Sequence, residues 1–186
     1  WLLDRKSRLT VFAGNRKDVE QTGASLTNSN DVLGRSLASS SLISVGANDR
    51  LTRINLTTAG FSLEPAKNFN IRVTGSYRTL RSATETFSLD YFDENGVVQS
   101  EIQQPEIEVG LFYTPRRKTS GYGVERTIIN DGDYPSFYAG YTYGMQNILG
   151  GDFEYSKIQG LYTQPWNLGG FGRLLSTVEA GTILDP

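Results

Sequence analysis

Residues 69–79 alternate without a break. Phe69, Ile71, Val73, Gly75 and Tyr77 fall on one parity, and Asn70, Arg72, Thr74, Ser76 and Arg78 on the other. Successive side chains of a strand point to opposite faces, so this stretch spells a strand with one apolar face and one face carrying two guanidiniums. The same period returns after Pro105, where Ile107, Val109, Leu111 and Tyr113 alternate with Glu106, Glu108, Gly110 and Phe112 until Pro115 closes the strand. Upstream, regular structure begins near Leu51. Ile54, Leu56 and Thr58 share a parity that passes to Phe61 and Leu63 at Ala59-Gly60. A glycine at such a slip predicts a bulge.

Turn chemistry separates these runs. Glu64-Pro65-Ala66-Lys67-Asn68 reads as a turn, with proline presetting its backbone angle. Asp93-Glu94-Asn95-Gly96 predicts a hairpin between Thr86–Phe92 and Val97–Ile102, because Asn-Gly suits the left-handed angles that a two-residue loop needs. From Pro135 onward three further strands are expected, Ser136–Gly144, Phe153–Gln164 and Gly172–Thr182. Asn147–Gly151 and Trp166–Gly170 would join them. Two stretches lack periodicity. Residues 1–50 read as a loop-rich segment with at most one short strand, Arg8–Phe12. Within it Gly14–Asp49 is polar, and Asn30-Asp31 is suited to cap a single helical turn through Leu37. Pro115–Pro135 is the second long connection.

The fold class expected is all-β: an antiparallel meander, residues 51–186, forming part of a transmembrane β-barrel. A soluble sandwich turns the apolar face of such strands inward, and a membrane barrel turns it outward to lipid. The alternation of residues 69–79 suits both. No apolar run approaches the about 18 residues of a helical span.

Composition suits a barrel and also a soluble β-sandwich with a wet outer face. Hydrophobic residues make up 38% of the 186, while aromatics at 11% and 20 glycines are generous. Strands that give one face to lipid and one to a polar interior have that mixture. Tyr134, Phe137, Tyr138, Tyr141, Tyr143, Phe153, Tyr155, Tyr162, Trp166 and Phe171 crowd the strand ends, where they would form interfacial girdles in a barrel or core in a sandwich. A net charge of -2 leaves no basic footprint for nucleic acid. With no cysteine and no histidine, the chain offers neither thiolate metal ligands nor a histidine-dependent triad, and no cofactor is expected. It begins at Trp1 without an initiator methionine and is read as a piece of a longer protein.

Tyr134-Pro135-Ser136-Phe137, Tyr141-Thr142-Tyr143-Gly144, Gly151–Lys157, Leu168-Gly169-Gly170-Phe171-Gly172 and Glu179-Ala180-Gly181 carry a family resemblance. They resemble the outer-membrane barrel half of a Bacteroidota family of unknown function. Its members typically carry an N-terminal carboxypeptidase-regulatory-like β-sandwich, and its barrel is similar to surface-antigen barrels of the BamA type. The resemblance covers Tyr134–Gly181 well and extends loosely back to Leu51. It implies an outer-membrane location and an incomplete barrel, and supplies no catalytic residues. The Arg-Gly-Phe or Arg-Gly-Tyr loop motif of true BamA proteins has no match here, and Arg116-Arg117-Lys118 does not supply one, which argues against a barrel-assembly role.

Candidate chemistry is sparse. Arg116, Arg117 and Lys118 could grip lipopolysaccharide phosphates if their loop lies outside, or form an ordinary solvated loop. Arg72, Arg78, Glu106, Glu108, Lys157, Arg173 and Glu179 occupy polar strand faces, as a lumenal charge lattice or as ordinary cross-strand pairs. Asn130-Asp131-Gly132-Asp133 lacks the spacing of a calcium loop, and Gly121-Tyr122-Gly123 lacks the third glycine of a dinucleotide site. The function expected is a non-enzymatic outer-membrane barrel segment in surface biogenesis, transport or scaffolding. Its partners would be outer-membrane lipid, lipopolysaccharide or other envelope proteins. The alternative is a soluble or surface-exposed β-sandwich that binds glycan or protein.

Overall fold

The structure is a computed structural model that describes residues 3–4, 8–21, 51–93, 96–120, 127–129 and 134–184. The expected helical turn at Asn30–Leu37, the Gly121–Gly123 stretch and Asn130–Asp133 lie outside these residues. The strands are β1 (Leu3–Asp4), β2 (Leu9–Gln21), β3 (Leu51–Ala66), β4 (Phe69–Ser82), β5 (Tyr91–Phe92), β6 (Val98–Gln99), β7 (Glu101–Tyr113), β8 (Lys118–Ser120), β9 (Thr127–Ile129), β10 (Ser136–Gly144), β11 (Tyr155–Asn167) and β12 (Arg173–Leu184). Eight of them form one sheet in the order β1-β2-β3-β4-β7-β10-β11-β12, and β5-β6 and β8-β9 form separate ribbons. The pairs of known register are all antiparallel. The chain is therefore all-β, and among the described residues the sheet is an open meander whose first and last strands are not paired with each other.

The chain divides into two compact units. The first is Trp1–Gly14, Thr57–Tyr77 and Gln104–Pro186; the second is Asn15–Leu56 and Arg78–Gln103.

In the first unit β10 lies between β7 and β11, and β11 between β10 and β12. β10 has the bounds its composition predicts. β11 begins later than expected, at Tyr155, and runs on through Pro165 to Asn167. β10 ends opposite Thr163, so beyond that point β11 is paired only with β12 and an imino residue is tolerated. The connection to β12 then closes through a 3-10 turn at Gly169–Phe171. The turn after β3 is tighter than Glu64–Asn68: strand continues to Ala66, leaving Lys67-Asn68. Asn68 takes a positive φ of 65°, which asparagine tolerates. Its N–H donates to the Glu64 carboxylate at 2.8 Å, and its side-chain amide donates to the Arg117 carbonyl at 3.0 Å. The connection Pro115–Pro135 contains the ribbon β8-β9, in which Lys118 is opposite Ile129.

The bulge expected at Gly60 is absent. β3 is continuous, and its exposed positions stay on the odd parity from Arg53 to Phe61. What changes at Ala59-Gly60 is side-chain character, not backbone phase. Gly60 is there for space, since a Cβ would come within 2.8 Å of Phe12 Cζ.

The single short strand expected at Arg8–Phe12 is corrected: β1 adds a two-residue strand before it in the first unit, and β2 runs on to Gln21, its part from Asn15 onward belonging to the second unit. Residues 15–20 are polar on both parities apart from Val19, so pairing rather than apolar alternation makes them strand. The Asn15 side chain donates to Asn55 Oδ1 at 2.9 Å. The expected strand Thr86–Phe92 shrinks to Tyr91–Phe92 because the Ser82 hydroxyl bonds the carbonyls of Thr84 and Phe87, which folds that segment back. The Asn-Gly hairpin forms, with shorter arms than expected. Asp93 organises it, its carboxylate accepting from Val97 N–H at 2.8 Å and from the Gln99 side chain at 3.1 Å.

Candidate functional site

Register decides which side chains share a face, because directly paired residues of an antiparallel sheet point the same way. In the first unit one face therefore collects Ile107, Val109, Leu111 and Tyr113 of β7, Phe137, Ala139 and Tyr141 of β10, Ile158 and Tyr162 of β11, and Val178 of β12. The opposite face collects Glu106, Glu108, Gly110 and Phe112, then Tyr138, Gly140, Thr142 and Gly144, then Tyr155, Lys157, Gln159 and Leu161.

Burial runs opposite to polarity. On the apolar face Ile107 is 45% exposed, Leu111 39%, Tyr141 44% and Ile158 46%; on the polar face Glu106 is 3% exposed, Gln159 4% and Thr142 0%. A water-soluble sheet buries its apolar face. Phe137 stacks with Tyr113 and packs at 4.7 Å against Tyr162, so the exposed side is a continuous aromatic and aliphatic surface.

The buried polar face is held by hydrogen bonds to two carboxylates. The Tyr155 hydroxyl donates to Glu106 Oε1 at 2.6 Å, across the width of β10. It can do so because Gly144, opposite both residues, has no side chain: a Cβ there would sit 2.6 Å from Tyr155 Cδ1. Ser76 donates to the other Glu106 oxygen at 3.4 Å. Tyr138 donates to Glu108 Oε1 at 2.8 Å and accepts from Gln159 Nε2 at 2.8 Å. Gln104 donates to the Phe153 carbonyl at 3.0 Å. Thr142 Oγ1 and Gln159 Oε1 are buried without a hydrogen-bond partner among the described residues.

Of the charges expected to line a lumen, the structure brings Glu106, Glu108 and Lys157 onto this face. Lys157 is half-buried opposite Thr142, which is opposite Glu108. Arg72 joins them through aromatic rings, its guanidinium 5.3 Å from the centre of Phe112 and 5.7 Å from that of Phe12. Phe112 packs against Tyr138 at 4.8 Å. Arg78 lies in the second unit, half-buried. Arg173 and Glu179 have the parity of this face but sit exposed on the edge strand β12. Arg116 and Lys118 are exposed; Arg117 is half-buried, with an unpartnered Nε.

Sequence reasoning missed the donors. Tyr138 and Tyr155 were grouped with the aromatic girdle, yet they face the carboxylates, while Phe137, Tyr141, Tyr162 and Trp166 lie on the apolar side. Parity within β10 sets Tyr138 apart from Phe137 and Tyr141, but only register, as in the pairing of Gly144 with both Glu106 and Tyr155, shows which face carries the carboxylates. β4 is less polarised, with Phe69, Ile71, Val73 and Tyr77 half-buried and Arg72 exposed.

Residues 45–185 match the model of the C-terminal domain of a family of unknown function, DUF5686. No curated protein and no solved structure matches the chain.

Proposed function

The chain belongs to the DUF5686 C-terminal domain family, and from that premise we propose that it is a non-enzymatic segment of an outer-membrane β-barrel serving surface biogenesis, transport or scaffolding. The observation that carries the reading is the inverted face of β7, β10 and β11: apolar side chains exposed, the hydrogen-bonded Glu106 carboxylate buried and that of Glu108 half-buried. Lipid solvates the first, and a barrel interior shelters the second. Closure with strands beyond the open sheet would satisfy the backbone groups of its edges, as lipid requires. The nine residues of β10 approach the about 9–11 of a tilted spanning strand. Bacteroidota origin, a BamA-like barrel and an N-terminal sandwich in the parent protein belong to the same reading and rest on the resemblance.

Connection lengths support an orientation. In a meander successive connections alternate ends. In the proposed barrel the connections β2–β3, β4–β7 and β10–β11 would therefore share one end, and β3–β4, β7–β10 and β11–β12 the other. Barrels keep short turns on the periplasmic side and longer loops outside, so the end with Lys67-Asn68 is assigned to the periplasm, its long connection 114–135 being the exception.

The absence of cysteine makes a direct test simple. Single cysteines at 106–111, spin-labelled in phosphatidylcholine vesicles, should give high oxygen accessibility at 107, 109 and 111 and low accessibility at 106, 108 and 110. A chain that stays monodisperse in plain buffer, with labels at 107, 109 and 111 open to a water-soluble relaxant, would be a soluble sandwich instead.

A further inference from the structure

We propose that the cleft of the second unit lined by Lys17, Arg53 and Arg81 binds the phosphate of an outer-leaflet phosphorylated glycolipid. The proposal rests on the barrel reading above. Three strands, β2, β3 and β4, bring these cations to one cleft, together with Asp18, Asn55, Thr79 and Glu101. Of the two acids, Glu101 pairs with Arg81 at 2.5 Å, while Asp18 Oδ1 accepts, among the described residues, only the Val19 N–H at 2.8 Å; three cationic and two acidic side chains leave the lining with a net positive charge. Lys17 and Arg53 make no hydrogen bond or ion pair with any described residue. Two exposed cations on neighbouring strands, facing one cleft, repel each other. An anion between them removes that cost, and a phosphate oxygen takes charge-assisted bonds from both.

Topology selects the source of the anion. The cleft residues come from the C-terminal parts of β2 and β4 and the N-terminal parts of β3 and β7, which are the strand ends joined by residues 22–50 and 83–100. Those are the long connections assigned to the outside. Arg116, Arg117 and Lys118 follow β7 at the opposite end, so on this orientation they meet the periplasm and the lipopolysaccharide contact passes to Lys17 and Arg53.

The test uses the whole chain in phosphatidylcholine nanodiscs, with labelled lipid A carrying or lacking its phosphates as the probe. Wild type should retain the phosphorylated form about tenfold better, and the double variant K17Q/R53Q should lose that preference while still inserting in the disc. R116Q/K118Q should leave the preference intact. Equal retention of both lipids by wild type, or loss of the preference only in R116Q/K118Q, would overturn the proposal. So would inorganic phosphate displacing the lipid at concentrations where it binds alone as tightly, since the site would then take free phosphate. Failure to insert in the disc sinks the barrel reading itself, whereas insertion without phosphate preference sinks the cleft alone.

Discussion

The two units use the same strands and opposite chemistry. Along β7, residues 107, 109 and 111 are Ile, Val and Leu, while 101 and 103, of the same parity, are Glu and Gln. Along β4, Ile71 and Val73 give way to Thr79 and Arg81. Along β2, Val11 and Ala13 give way to Asn15 and Lys17, and along β3, read backward, Phe61 and Ala59 give way to Asn55 and Arg53. In each strand the change falls where one unit ends and the other begins. Backbone period is constant throughout. What differs is the solvent each stretch suits: in the second unit β3 exposes Arg53 and Asn55 and half-buries Ile54 and Leu56, as a sheet in water does. In the first unit β7 buries Glu106, half-buries Glu108 and exposes Ile107, Val109 and Leu111.

The largest effect should come from placing a charge in each region. Val109→Lys in vesicles is expected to cost about 2–4 kcal/mol, the cost of a cation on a lipid-facing strand surface near mid-bilayer. Asn55→Lys should cost under about 1 kcal/mol, since that position is exposed and surrounded by polar groups. Guanidinium unfolding followed by tryptophan fluorescence measures both. Equal costs would abolish the contrast between the units.

Next come the polar contacts behind the apolar face. Tyr155→Phe deprives the buried Glu106 carboxylate of its 2.6 Å hydroxyl donor, and about 1.5–3 kcal/mol should be lost, the range for hydrogen bonds to charged groups. Gly144→Ala attacks the same contact from beneath, because the new methyl occupies the space of the Tyr155 ring; overpacking of this kind costs about 1–3 kcal/mol. In the double variant the two losses should not add, since either change alone already breaks the contact. Additive losses would show that Tyr155 does not need the Gly144 slot.

Much of this fold is legible in the chain, for identifiable reasons. The alternations at 69–79 and 106–113 depend only on local order, and β4 and β7 carry them as written. β10 keeps its bounds because proline precedes it and glycine ends it. The extension of β2 to Gln21 was hidden because its residues are polar on both parities and their strand state comes from a partner distant in sequence. The carboxylate site was half legible. Glu106 and Glu108 stand out by parity, but their tyrosine donors come from β10 and β11, and only register matches the face of Tyr138, rather than that of Phe137, to the carboxylates. At Ala59-Gly60 a change of side-chain character and a change of backbone phase leave the same mark on hydrophobicity, so the pattern predicts a bulge that the strand does not have.

The smallest effect sharpens the comparison from the second unit. Arg81 and Glu101 pair at 2.5 Å, but their side chains are 62% and 27% exposed. Water screens such a pair, and holding two long side chains together costs entropy, so Arg81→Ala should lose under about 1 kcal/mol. The loss should shrink further at 1 M salt, where the screening length falls to about 3 Å. The Tyr155 deletion should keep most of its cost under the same salt, because its carboxylate is shielded from ions by burial. Salt series on the two variants therefore read the difference between the regions directly. If both losses vanish together, Glu106 is as open to solvent as Glu101, and the first unit has no protected polar interior.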